Sequence, residues 1–470
     1  LPGVVWPGIA WPGIAWPGAA AVCAGPEAAS APPRKINPGH LKLFVSKNIQ
    51  FPSTSQSLAA PSLPGYASRG YNRSVEQAVM SEAATLYTEI PANAAIAAAP
   101  TPLASQLCAK TRSLELAPYS GALTPRNFSS IQTELAAALA NAACFDLGYR
   151  ARLRVAGEDR LRWLNGMVSN AIQTLASAPD GGQGNYNFVL NAQGRIQGDC
   201  YIYRRADDLL LDTDRSQAPR LLAHLDHFII MDDVELHPLD ESSTGIGLTG
   251  PQAASTLQTL GFNAADLAPM RLIETNLAGA PITLAPITLD TVTLVQAFGQ
   301  LRPRFELWFA PEHALALWNA LTSAGATPIG IDAVEALRIL EGTPRYGVDI
   351  TDRHLPQETA QARALSFTKG CYLGQEIVER IRSRATVHRA LRQFQLDGST
   401  PTVPADLHTS ENPSAPIGQL TSVAQVDLPG YQGTVAIGSI RTEALERKAA
   451  IVYDGGTAAP LDRPPIPATD

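Results

Sequence analysis

The chain has 470 residues, 45% of them hydrophobic and 17% charged, with a formal net charge of −7. This length accommodates two or three domains, and the acidic balance excludes bulk electrostatic binding of nucleic acid, which needs a basic surface to displace counterions. The five cysteines (Cys23, Cys108, Cys144, Cys200, Cys371) are odd in number, widely spaced and form no C-x-x-C. Neither a disulfide framework nor a clustered-thiol metal site is expected from them, and a cytoplasmic location fits best.

Residues 1–110 read as a low-complexity, disordered extension. Residues 6–20 run WPGIAWPGIAWPGAA; a proline every fifth residue forbids a regular helix, and each Pro-Gly pair favours a turn. The stretch lacks the basic start of an export signal and is too broken to span a bilayer, so no membrane partner is expected. Residues 1–79 carry six basic and two acidic side chains, the remainder 30 and 41. The sign reverses near Met80, which reads as the true start. Residues 80–125, alanine-rich with Pro91, Pro100, Pro102 and Pro118, are expected to hold little order.

Regular patterning begins near Ser129. An alanine-rich helix is expected over 129–143, then a strand over 151–157, where Leu153 and Val155 alternate with Arg152 and Arg154. A helix follows over 158–170, then two strands within 185–203 joined by a turn at Asn191–Gly194, a strand at Leu209–Asp212, and a helix over 216–230. The pattern recurs more loosely with strands at 245–250 and 303–310 and helices at 251–260 and 311–324. Asp332 is expected to cap a helix running through Leu340. Beyond Arg389 the texture changes to short strands at 390–396, 416–424, 433–441 and 449–453. The whole reads as an α+β region over 125–330, a connecting segment over 331–389, and a small β-barrel over 390–460.

The segment SFTKGCYLGQEIVERIRSR, residues 366–384, carries the most information. Gly370 and Gly374 bracket Cys371, helical spacing follows, and Lys369 lies two residues away. A helix start and a neighbouring ammonium both favour a thiolate; the plainer reading is a buried thiol in a glycine turn. The string K-G-C-Y-x-G-Q-E, Lys369 to Glu376, resembles the signature of the YgfZ-type folate-binding family, relatives of the glycine-cleavage aminomethyltransferase. Residues 335–358 resemble the approach to that signature, 144–170 the opening of the family's folate-binding domain, and 416–424 and 434–441 its closing barrel.

This resemblance implies a ring-like three-subdomain fold, tetrahydrofolate or a derivative as cofactor, and an accessory role in making or repairing iron–sulfur proteins, which would be its partners. It also implies that Cys371 and Lys369 are tied to function. The alternative is a one-carbon enzyme, an aminomethyltransferase or a demethylase partner. A pterin presents a fork of N–H donors that a carboxylate accepts in parallel. Glu306 is the candidate acceptor, sharing a strand face with Arg304 and Trp308, although from position alone it is an exposed strand glutamate. Asp199 is the candidate proton-transfer group, at a place where the aminomethyltransferases carry a pair of acids; here Gly198 replaces one of them. Tyr346 and Arg345, in R-Y-G-V-D, are candidates to line the site, and Gln357–Glu358 to cap or bind. His224 and His227 lie three apart on a helix without a third ligand at a diagnostic spacing, and no metal is expected.

Overall fold

The computed structural model describes residues 21–22, 98–111, 113–280, 287–384 and 387–468. Ordered structure begins earlier than the sequence suggests. Helix α1 spans Pro102–Lys110; its first turn tolerates Pro102, and the Thr101 hydroxyl accepts from the Ala104 amide. A hairpin of β1 (Glu115–Tyr119) and β2 (Ala122–Pro125) follows. Its turn, Ser120–Gly121, has positive φ at both positions, the geometry that matches strand twist. The expectation of disorder through residue 110 and of little order through 125 is therefore corrected over 101–125. Prolines and alanines there mark a helix start and a hairpin, and Leu103 and Ala104 are wholly buried. The expectations for residues 1–20 and 23–97, Met80 included, lie outside the described residues.

Helix α2 (Ile131–Ala140) leads into β3 (Ala143–Asp146) and β4 (Arg150–Ala156), then α3 (Arg160–Met167). The hairpin β5 (Gly181–Leu190) and β6 (Ile196–Arg204), strand β7 (Leu209–Asp214), α4 (Ala218–His227) and β8 (Glu235–Pro238) complete the first half. The second half contains β9 (Thr244–Thr249), α5 (Ala253–Thr259), β10 (Arg271–Ala280), β11 (Ile287–Ala297), β12 (Arg304–Phe309), α6 (Ala314–Ser323), β13 (Thr327–Pro328) and α7 (Ile331–Leu340). These strands form one mixed sheet in the order β8-β4-β7-β6-β5-β10-β11-β12-β9-β3-β13.

Two cores cover the outer surfaces of this sheet. Leu153, Val155, Cys200, Ile202 and Leu211 pack under α3 and α4. Ile246, Leu248, Phe305, Leu307 and Phe309 pack under α5 and α6. The remaining faces turn toward each other. Six strand spacings separate β4 from β12, about 29 Å in a flat sheet, yet the Arg152 guanidinium of β4 lies 4.3 Å from the centre of the Trp308 ring of β12. The sheet is therefore rolled, and Tyr203, Leu210, Leu272, Val295 and Trp308 form the cluster inside the roll.

Helix α7 is entered from Gly330, and Asp332 lies in its first turn bonded to Arg126 at 3.0 Å, so the expected cap is corrected. After helix α8 (Gln375–Arg384) come β14 (Arg389–Gly398), β15 (Ala405–Thr409), β16 (Gly418–Leu428), β17 (Tyr431–Arg441), β18 (Ile451–Tyr453) and β19 (Gly456–Leu461). They close into a six-stranded barrel, giving an α+β fold with a C-terminal β-barrel. A buried polar latch joins it to α7. Asp349 accepts from Arg338 at 2.7 Å, Thr421 at 2.5 Å, Ser422 at 2.7 Å and the Arg345 amide at 2.9 Å. Consecutive strand side chains ordinarily point to opposite faces; a bulge in β16 between Leu420 and Ser422 turns both hydroxyls onto one carboxylate.

Glu335 completes the latch with both oxygens on Arg338, at 2.6 and 3.0 Å, and a 2.9 Å bond from the Tyr119 hydroxyl. Burial raises its pKa, but Arg338 and Arg345 outweigh burial and bring it down to about 2, from 4.5 in a free side chain. Its contribution is fully present above pH 4.5 and is lost as pH falls toward 2. Urea midpoints measured across that window are expected to fall steeply for the wild type and more gently for Glu335→Gln.

Candidate functional site

Strand periodicity sorts the rolled sheet into an apolar outer face and a polar inner one. On β6 the inner residues are Asp199, Tyr201 and Tyr203. Opposite them in register stand Phe188 and Tyr186 on β5 and Asp212 on β7, and Arg152 and Arg150 of β4 pair with Asp212 and Asp214. On β12 the inner residues are Glu306 and Trp308, paired across to Gly247 and Gly245 of β9. Gly247 is required by the Phe145 ring, which would lie 2.2 Å from any Cβ placed there.

Asp199 is half-buried and held from both sides. The Tyr186 hydroxyl donates to it at 2.5 Å and the Gln217 amide at 2.8 Å. Burial raises its pKa, and Asp214 adds to the rise; the bonds from Tyr186 and Gln217 oppose it. Arg363 lies over Tyr186 at 4.4 Å and over Phe298 at 3.6 Å, a cation between two rings. Glu306, also half-buried, accepts from the Trp308 indole at 2.9 Å. Burial raises its pKa, then Asp212 raises it further, against Arg150, Arg152 and the indole bond. No cation sits within ion-pair distance of Glu306 among the described residues. Arg150 joins the two ends, bonding Asp212 through Nε at 3.1 Å and again through Nη2, and Asp214 at 2.6 Å. Among the described residues no three His, Cys, Asp or Glu side chains group to hold a metal ion, and no helix is long and apolar enough to cross a membrane.

The structure thus brings Asp199, Glu306 and Trp308 to one face. Tyr346 packs at its edge beside the Tyr186, Phe188 and Tyr372 cluster, with burial pushing its hydroxyl up to about 12. Arg345 is turned into the latch, 3.5 Å from Glu335 and stacked 4.4 Å over Tyr119. Gln357 and Glu358 serve local backbone, donating to Val378 O and accepting from Leu355 N, both at 2.8 Å. Tyr186, Gln217, Arg150, Asp212, Arg363 and Phe298 were not anticipated. The alternation of Asp199, Tyr201 and Tyr203 is the signal that points to this face.

Cys371 is a free, exposed thiol, not a buried residue of a glycine turn. Lys369 does not activate it. The ammonium has three donors, and all three go to backbone carbonyls around the end of α3: Asn165 and Val168 at 2.6 Å and Asn170 at 2.8 Å. Burial pushes this ammonium down to about 7, and the three carbonyls oppose loss of its proton. The expected lysine–thiolate pair is corrected accordingly. Cys108 is disulfide-bonded. Cys144 and Cys200 are buried, and burial raises the pKa of both. Of the three free thiols among the described residues, iodoacetamide is therefore expected to modify Cys371 in the folded protein, and Cys144 and Cys200 only after denaturation. Peptide mass mapping of the alkylated sites before and after urea checks this.

The GCVT N-terminal domain profile matches residues 110–369, more than half of the chain. The chain belongs to this family. Among curated GCVT relatives, an aminomethyltransferase of Thermus thermophilus is 28% identical over 312 residues, covering 65% of this chain and 81% of the relative. That of Exiguobacterium sibiricum is 29% identical over 263 residues, covering 55% and 69%. Among solved structures, the glycine cleavage system aminomethyltransferase T from Bartonella henselae superposes with a TM-score of 0.66 at 21% identity, over 77% of this chain and 95% of that one. This last likeness shows the fold alone. The GCVT fold, α+β with a closed barrel, and membership of the GCVT-domain aminomethyltransferase superfamily follow from these matches.

Proposed function

We propose that this GCVT-family protein binds tetrahydrofolate on the inner face of the rolled sheet. The observation that carries the reading is Glu306: a half-buried carboxylate with one oxygen on the Trp308 indole and, among the described residues, no cation within ion-pair distance. Such a group favours a ligand that brings paired N–H donors, and the neighbouring indole suits a flat heterocycle. Buried polar atoms without hydrogen-bond partners, Arg152 Nε and Nη2 and Asp212 Oδ1, fit a site built around polar contacts rather than packing alone. Asp199, with its raised pKa, is suited to hold or pass a proton, and Arg363 to meet an anionic group. Bound folate would supply a carrier for a one-carbon unit; the names of the relatives favour aminomethyl transfer. Titration of the full chain with tetrahydrofolate, followed by calorimetry, tests the reading, and absence of saturable heat would overturn it.

A second reading, an accessory factor for iron–sulfur proteins of the YgfZ type, is favoured by Cys371. It is free and exposed within the string Lys369–Glu376, where a partner's cluster or sulfur can reach it. Gly198 in place of a second acid also weighs against transfer chemistry. A deletion strain assayed for cluster-dependent enzymes separates the readings: rescue by wild type and not by Cys371→Ala supports the accessory role, and equal rescue removes Cys371 from it. Methylene-tetrahydrofolate formation from a methylamine donor supports transfer.

A further inference from the structure

Arg152 breaks a local rule. It is 3% exposed, yet two of its guanidinium nitrogens, Nε and Nη2, have no hydrogen-bond acceptor. Its Nη1 donates to Ser243 at 3.2 Å, and its Nε forms an ion pair with Asp212 Oδ1 at 3.5 Å that is not a hydrogen bond. A buried charge so poorly bonded costs stability. Exceptions of this kind cluster where a site demands them.

The guanidinium also stacks. It lies 4.3 Å from the centre of the Trp308 ring, while Tyr203 meets the same indole edge-on at 5.6 Å. Room for it is made by Gly245, which pairs with Trp308 across the sheet. A Cβ at Gly245 would lie 2.9 Å from Arg152 Nη2 and 3.1 Å from Trp308 Cδ1. The indole so held donates through Nε1 to Glu306.

We infer that Arg152, seated in the space left by Gly245, is a positioning residue that fixes the Trp308 indole and, through it, the carboxylate of Glu306 that receives the ligand. This deepens the folate-binding reading and rests on it. The planar guanidinium is needed for stacking, and a lysine ammonium does not replace it.

The test is a double-mutant cycle on the full chain, with tryptophan emission of the free protein and tetrahydrofolate titration as separate readouts. Arg152→Met and Arg152→Lys are expected to shift the emission and to weaken tetrahydrofolate binding on the order of tenfold. In a Trp308→Phe background the same changes are expected to leave both readouts unaltered. Gly245→Ala, which crowds the pair without removing either member, is expected to reproduce the shift. Unchanged emission in both Arg152 variants overturns the inference, as does an equal loss of affinity with and without Trp308. Should the wild type bind no tetrahydrofolate, the folate reading fails, and the emission arm still decides whether Arg152 sets the indole.

Discussion

Replacing Asp349 with alanine is expected to destabilise the protein by about 3–5 kcal/mol, the usual penalty for stripping one partner from a buried ion pair. Asp349 is 1% exposed and receives four hydrogen bonds. Its loss leaves the Arg338 guanidinium, itself buried, with Glu335 as its remaining acidic partner, strands the Ser422 hydroxyl and the Arg345 amide without an acceptor, and leaves the Thr421 hydroxyl only Ile437 O, at 3.2 Å. Asp349→Asn keeps the volume and one acceptor oxygen, and is expected to fall between alanine and wild type. Urea unfolding followed by circular dichroism measures both. An alanine variant with the wild-type midpoint would mean that apolar packing of α7 on β16 and β17 holds the barrel without help from the latch.

Glu306→Ala is expected to abolish measurable tetrahydrofolate binding. Hydrogen bonds to a charged group contribute about 1.5–3 kcal/mol each, so losing two lowers affinity by a factor on the order of 10² to 10⁴. The substitution also leaves the Trp308 indole N–H unpaired, so a general loosening of the site would produce part of the effect. Glu306→Gln separates the two. Its amide oxygen still accepts from the indole, while its NH₂ group presents a donor where the ligand is expected to bring donors. Loss in both variants with unchanged melting temperature assigns the effect to recognition. Normal binding in either would move the pterin end of the site away from β12.

Much of this was readable before any coordinates, and the gaps have physical causes. Strand patterning located β4, β6, β12 and four of the six barrel strands, missing β15 and β19, because hydrophobic and polar faces differ whatever they pack against. The division of Arg304, Glu306 and Trp308 from Phe305, Leu307 and Phe309 appears unaltered in the cores. Alternation does not say where the polar face goes, and this is why neither Arg152 nor Asp212 stood out as a site residue. The roll that turns them inward is set by contacts far apart in sequence. The long pair β10 and β11 escaped notice because alternation there is weak and prolines interrupt the stretch between them. Around Cys371 the local string identified the resemblance, but it did not reveal that the Lys369 ammonium bonds backbone carbonyls. Neighbours in sequence imply neighbours in space only when the side chain has no better partner, and here the end of α3 offers three.

The roll has a further consequence for how the molecule acquires its site. Arg152 and Trp308 come from strands with five intervening strands between them in the sheet. Contacts of such long range form late, since the entropy of closing the intervening loop is met before any contact offsets it. A fragment ending before β12 would contain Asp199 and all of its hydrogen-bond partners, yet have no inner chamber. Any ligand that touches both Asp199 and Glu306 therefore acts as a clasp on the rolled sheet, and its binding free energy resists unrolling as well as dissociation.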